Sequence, residues 1–187
     1  MLDVREIGPE HPRPLRRNEY DRLVEDGLFG DERIELLEGV LVEMTPAGAR
    51  HADVVGRLTM LLVPALVGRA LVRVQSPLAI SNESEPEPDL AVVAIADYQR
   101  EHPRHSLLVV EVAEASLRKD LGVKATLYAR AQVTEYWVVD LSTRTVRRHT
   151  DPANDGYTQV ATFGPGEILH PAAFPDLAAP VDDVLPG

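Results

Sequence analysis

Between Pro88 and Asp140 the chain carries three apolar runs of strand length and one helical run, and this stretch limits what the rest can fold into. The first run is Leu90-Ala91-Val92-Val93, entered through Pro88-Asp89, and the strand is expected to run from Asp89 to about Ala96. The second is Leu107-Leu108-Val109-Val110-Glu111-Val112, and the third is Glu135-Tyr136-Trp137-Val138-Val139-Asp140. Runs this short and this apolar, rich in Val, fit strands buried on both faces. The intervening run, from Ser116 as N-cap to about Ala131, places Leu117, Leu121, Ala125 and Tyr128 on one helical stripe. Strand, helix, strand predicts a right-handed crossover, with the third run parallel to the second.

Two acids sit where such strands have no use for them. If the first two runs form an antiparallel hairpin centred near residue 101, Asp89 falls opposite roughly residue 113, and Glu111 lies within diagonal reach on the same face. Two carboxylates that close repel unless a cation lies between them, and a divalent metal would serve. A glutamate inside Val-Val-Glu-Val must be compensated in some way, because a buried unpaired charge costs several kcal/mol. A buried arginine is the other way to compensate it.

Asp120, Lys124 and Tyr128 follow i, i+4, i+8 and share a helical face. The ordinary reading of Lys124 is a surface pair with Asp120. Against it stands the chain's choice of cations: of 19 basic residues, 17 are Arg, and the only lysines are Lys119 and Lys124. A lysine where arginine is the habit suggests a need for a compact ammonium. Two turns into the helix, its long stem could reach back over the sheet.

The remainder reads as framework. Residues 1–16 are rich in proline and charge, an irregular arm. Asn18 is a candidate cap for a short helix from Glu19 to about Gly27 that would cover a sheet edge. Arg33 to Met44 reads as a hairpin turning at Glu38-Gly39. Glu35 within it belongs on the wet side of a strand, or else it points toward a site. A helix from His51 to Gly68 shows one buried face. His51, in its first turn, reads first as a capping or surface residue and second as a group facing a bound anion or metal. Ala70–Val74 and Leu78–Ile80 are short strand candidates. Glu83, Glu85 and Glu87 read as a solvated charge run. Thr145–His149 and Tyr157–Phe163 extend the sheet around a turn at residues 152–156, and a proline-rich tail follows from Ile168. His149 and His170 read as structural or surface residues.

These residues in this order resemble the PD-(D/E)XK nuclease superfamily and, more closely, the Uma-type family of restriction-endonuclease-like bacterial proteins. The likeness covers about residues 18–185. It rests on Glu35-Leu-Leu-Glu38-Gly39, His51 after Pro46, Pro88-Asp89, Val110-Glu111-Val112, Asp120 with Lys124 and Tyr128, and Glu135 through Asp140. The resemblance implies an α/β (mixed α+β) fold with a restriction-endonuclease-like central mixed sheet flanked by helices. It also implies Mg²⁺ or Mn²⁺ held by Asp89 and Glu111, with Lys124 orienting water or stabilising charge. Glu35, His51 and Tyr128 are second-tier site candidates. One departure is clear: Ala113 stands two residues after Glu111, where the superfamily pattern has lysine, so Lys124 on the following helix is the substitute.

The expectation is therefore one domain over residues 1–187, with a nuclease-like core at about 33–141, an arm at 1–17, and sheet extension and tail at 142–187. The expected activity is metal-dependent endonuclease cleavage of nucleic acid, DNA in the first instance. Homodimers are common among folds of that superfamily, but no feature of this sequence establishes one. A net charge of −11 works against a polyanion partner. Two rivals therefore stand beside it: a catalytically silent binding module with a nuclease fold, and a metal-dependent hydrolase of a small phosphorylated molecule. With no cysteine, disulfides, thiolate nucleophiles and cysteine zinc sites are excluded. No apolar run spans a bilayer and no export signal opens the chain, so the default location is the cytoplasm with no membrane partner.

Overall fold

A computed structural model describes residues 11–185. The proposed arm lies partly outside that range. The elements in order are α1 (Arg17–Glu25), β1 (Ile34–Leu37), β2 (Val40–Glu43), α2 (Ala49–Leu66), β3 (Leu71–Val74), β4 (Leu90–Val93), β5 (Leu108–Ala113), α3 (Leu117–Lys119), a π segment (Asp120–Lys124) and α4 (Ala125–Arg130). After them come β6 (Glu135–Asp140), β7 (Thr145–Ala153), β8 (Gly156–Phe163), β9 (Ile168–Leu169), β10 (Ala179–Pro180) and α5 (Val181–Val184).

Six strands form one mixed sheet in the order β3-β4-β5-β6-β7-β8. Only β5 and β6 are parallel, as the strand–helix–strand pattern requires; every other pair is antiparallel. Side chains alternate across the central strands. Leu90, Val92, Leu108, Val110, Val112, Trp137 and Val139 join one core with Leu58, Leu62 and Leu66 of α2. Ala91, Val93, Val109, Ala113, Tyr136 and Val138 join the other with Ala125 and Tyr128 of α4. Helices thus cover both faces of the middle of the sheet, the arrangement that allows its strands to be apolar on both sides.

The proline-rich tail does more than cover. Leu169, Phe174, Leu177, Val181, Val184 and Leu185 are buried in the α2 core, and β9 pairs antiparallel with β10. Sequence periodicity misses this because each element is only two to four residues long.

Several local expectations are corrected. Asn18 lies inside α1; the helix starts from Arg16, whose backbone N–H donates to Glu19 Oε2 at 2.9 Å. Leu78–Ile80 is not a strand, although Leu78 is fully buried. The strand after Asp89 ends at Val93, short of Ala96. His149, by contrast, is structural as expected: it is buried, with its ring tilted against those of Tyr136 and Tyr157.

The β1–β2 hairpin turns at Glu38-Gly39 as expected, with Leu37 paired to Val40. Both turn residues have positive φ, 49° and 76°, the conformation that matches the twist of the flanking strands. Gly39 is needed for a second reason: a Cβ there would lie 2.3 Å from Pro14 Cβ. The hairpin docks on the 83–87 loop through Leu36 N–H to Glu85 O and Glu85 N–H to Leu36 O. That docking is what carries Glu35 to the end of β5.

It also buries Glu85, which the sequence reads as solvated. Burial pushes its carboxyl up to about 7 from an ordinary 4.5, helped by Asp21 and opposed by Arg17. The folded chain therefore holds a proton that the unfolded chain has released between those pH values. This contribution to stability is full below about 4.5 and is lost as pH rises to about 7. Glu85→Gln will flatten the fall in thermal midpoint across that window. A slope identical to that of the unmodified protein would show that Glu85 is not the group responsible.

Candidate functional site

β4 and β5 pair with Leu90 opposite Val110, which puts Asp89 level with Glu111 itself. The register is thus two residues tighter than the sequence-based hairpin, and the two acids are direct neighbours. Asp89 is held firmly: its Oδ2 accepts from the Val112 backbone N–H at 2.8 Å and lies 3.0 Å from His51 Nε2. His51 stands in the first turn of α2 and is half-buried, not a surface cap. The hydrogen bond to Asp89 raises its pKa, against the opposing effect of burial.

Glu111 is 5% exposed. Among the described residues no arginine reaches it. Lys124 Nζ and Tyr128 Oη both donate to its Oε1, each at 2.8 Å. Lys124 is 2% exposed, so the surface pair with Asp120 is overturned. Asp120 is itself buried and accepts from Ser116 Oγ at 2.5 Å, and Ser116 makes no side-chain cap.

Lys124 has a second partner that the sequence reading placed in solvent. Glu35 is 0% exposed, and its Oε2 lies 2.9 Å from Lys124 Nζ. Its Oε1 accepts from Lys119 Nζ at 2.7 Å. Both lysines of the chain thus meet on one buried carboxylate. Lys119 is the site residue the sequence analysis missed, and the signal that singled out Lys124 applied equally to it.

The π segment explains the convergence. Lys119 and Lys124 are five residues apart and would point about 140° apart on a regular α-helix. Widening the turn to i→i+5, as the Ala125 N–H to Asp120 O bond does, brings them onto one side.

Charge within the cluster is unbalanced. Glu35, Asp89, Glu111 and Asp120 are all buried, against two lysines and His51. Burial would push Glu35 up, but Lys124 and Lys119 outweigh it and hold its carboxyl low. Burial pushes Glu111 up to about 8; Lys124 opposes this, while Asp120, Asp89 and Glu35 add to it. Burial also disfavours the Lys124 ammonium, yet Glu111 and Glu35 more than offset it and raise its pKa. Asp120 is raised by burial and Tyr128 strongly so.

Asp89, Glu111, His51, Asp120, Lys119 and Lys124 line one cavity of about 350 Å³, closed on its other sides by the β2–α2 connection. Among the described residues, Asp89 Oδ1 and Glu111 Oε2 carry no hydrogen bond, so each acid presents one oxygen to that space. No three His, Asp or Glu side chains among the described residues stand together as a complete metal cage. Two carboxylates are nonetheless what Mg²⁺ commonly takes from a protein when water and phosphate oxygens supply the rest. The excess of buried acid over lysine fits a divalent cation.

Comparison with known proteins places the family and the fold. A sequence model of the Uma2 family, described as "Putative restriction endonuclease", matches residues 17–182. Among solved structures, a protein from Anabaena variabilis ATCC 29413, described as "a putative nuclease belonging to DUF820", matches with a TM-score of 0.73. It is 12% identical, over 91% of this chain and 97% of that one. At that identity the likeness speaks to the fold. No curated protein sequence matches the chain. No described helix is long and apolar enough to cross a membrane.

Proposed function

The chain belongs to the Uma2 family of restriction-endonuclease-like proteins, and from that premise we propose that it is a Mg²⁺- or Mn²⁺-dependent endonuclease that hydrolyses phosphodiester bonds in DNA. The observation that carries this reading is the meeting of Asp89, Glu111 and Lys124 in one cavity, with a free oxygen on each acid.

Asp89 Oδ1 and Glu111 Oε2 would hold the ion. Once bound, it supplies a Lewis acid for a phosphate oxygen and a water of lowered pKa. The chain's own groups do the rest. Val112 N–H and His51 fix the Asp89 carboxylate, and Tyr128 fixes that of Glu111. Lys124 offers a positive charge beside the reacting phosphate, where negative charge develops. Glu35 holds that ammonium in place. Ala113 leaves β5 without a lysine at its end, and the helix returns one from the other side.

The test is incubation of the purified protein with plasmid and with labelled DNA and RNA oligonucleotides, in Mg²⁺, Mn²⁺ or EDTA. Cleavage of DNA that needs the metal is expected. The net charge of −11 favours one rival, a module that binds without cutting. Binding with no product in any metal would select that rival and end the catalytic reading.

A further inference from the structure

The paired lysines do different jobs. We propose that Lys119 is a second substrate contact of this site, holding the nucleic-acid phosphate next to the one that is cleaved. The inference rests on the nuclease reading above and adds a residue to it.

Four observations support it. Lys124 alone gives Glu35 a buried partner at 2.9 Å, so a second lysine is not needed to neutralise that acid. Lys119 nevertheless lies on Glu35, with 30% of its side chain still exposed at the cavity wall, against 2% for Lys124. The helix accepts a π segment at Asp120–Lys124 that brings the two ammonium groups together. Such segments are rare and gather at functional sites. Lastly, the cavity is walled by Asp89, Glu111, Glu114 and Asp120. A polyanion entering a wall of carboxylates needs a mobile cation at its mouth, and phosphate contacts are what give nucleic-acid binding its strength. A flexible ammonium can leave Glu35 for a phosphate while Lys124 keeps the acid paired. A guanidinium, held by two hydrogen bonds, would exchange less freely.

The experiment compares the full-length protein with Lys119→Ala and Lys119→Arg on a labelled DNA oligonucleotide in Mn²⁺. KM, kcat and the dependence of KM on salt are measured, and thermal unfolding confirms the fold. Lys119→Ala is expected to raise KM about tenfold, with a much smaller change in kcat. Its log–log salt slope should be shallower by about one, the loss of a single phosphate contact. Lys119→Arg should restore the slope and only part of the KM. Should Lys119→Ala fold poorly, Lys119→Gln is measured in its place.

Unchanged KM and slope in an active, folded variant would overturn this inference alone. So would a fall in kcat with KM unchanged, which would mean that Lys119 acts only through Glu35 and Lys124. A wild-type protein that neither cuts nor binds the oligonucleotide would overturn the nuclease reading, and this inference with it.

Discussion

Asp89→Asn and Glu111→Gln will each lose metal-dependent cleavage by about a hundredfold to a thousandfold or more while remaining folded. An ion held by two carboxylates contributes several kcal/mol of transition-state stabilisation, and each 1.36 kcal/mol is a factor of ten in rate. The amides are chosen over alanine because these carboxylates have structural duties. An amide oxygen at position 89 still accepts the Val112 N–H, whereas alanine leaves that buried donor unpaired, at a cost of about 1–3 kcal/mol. An amide at 111 still accepts from Lys124 and Tyr128. Activity and stability therefore separate in the amide variants and would be confounded in the alanine ones. Near-normal turnover by either amide variant, with normal unfolding, would remove that residue from the metal site.

The two acids were legible because strand sequence makes them anomalous. A carboxylate inside Val-Val-Glu-Val has no place in a two-sided apolar strand unless something pairs with it, and the hairpin puts Asp89 nearby under any plausible loop centre. Lys124 was legible through its rarity. Glu35 was not. The pattern Ile34-Glu35-Leu36-Leu37 looks like a strand with one wet residue, and only the docking of the hairpin on the 83–87 loop makes that side wet no longer. That docking runs through the Leu36–Glu85 backbone pair, Gly39 N–H to Glu83 O and Glu38 N–H to Ser84 Oγ, and no sequence period encodes it. His51 was misjudged for the same reason: its partner Asp89 is 38 residues away. Lys119 required the π segment, since an α-helical wheel puts it on the wrong side of the helix. The fold itself read well where elements are long and periodic or strongly apolar, as in α2, β5 and β6. It read poorly in the tail, where two short strands and a single turn of helix are placed by burial and by their pairing with one another, neither of which leaves a sequence period.

Lys124→Ala is the substitution expected to harm stability most among the site residues, by about 3–5 kcal/mol, because it breaks a buried ion pair from one side. Among the described residues the ammonium is the sole cation on Glu111 and one of two on Glu35. Both acids are buried, and Asp89 and Asp120 stand close enough to raise Glu111 further. Glu111 has one escape: it can take up a proton, which its raised pKa already favours, so the lower end of that range is expected near neutral pH. Glu35 keeps Lys119 but loses its only fully buried partner. Chemical denaturation of the metal-free protein measures the effect directly. Adding Glu111→Gln to Lys124→Ala removes the stranded charge and should recover a large part of the loss, although it cannot recover cleavage. The two changes touch one another, so their effects should fall well short of additive. A Lys124→Ala protein as stable as the original would mean that Glu35 and Glu111 do not need their ammonium, and the reading of this cavity as an acid-rich pocket awaiting one more cation would fail with it.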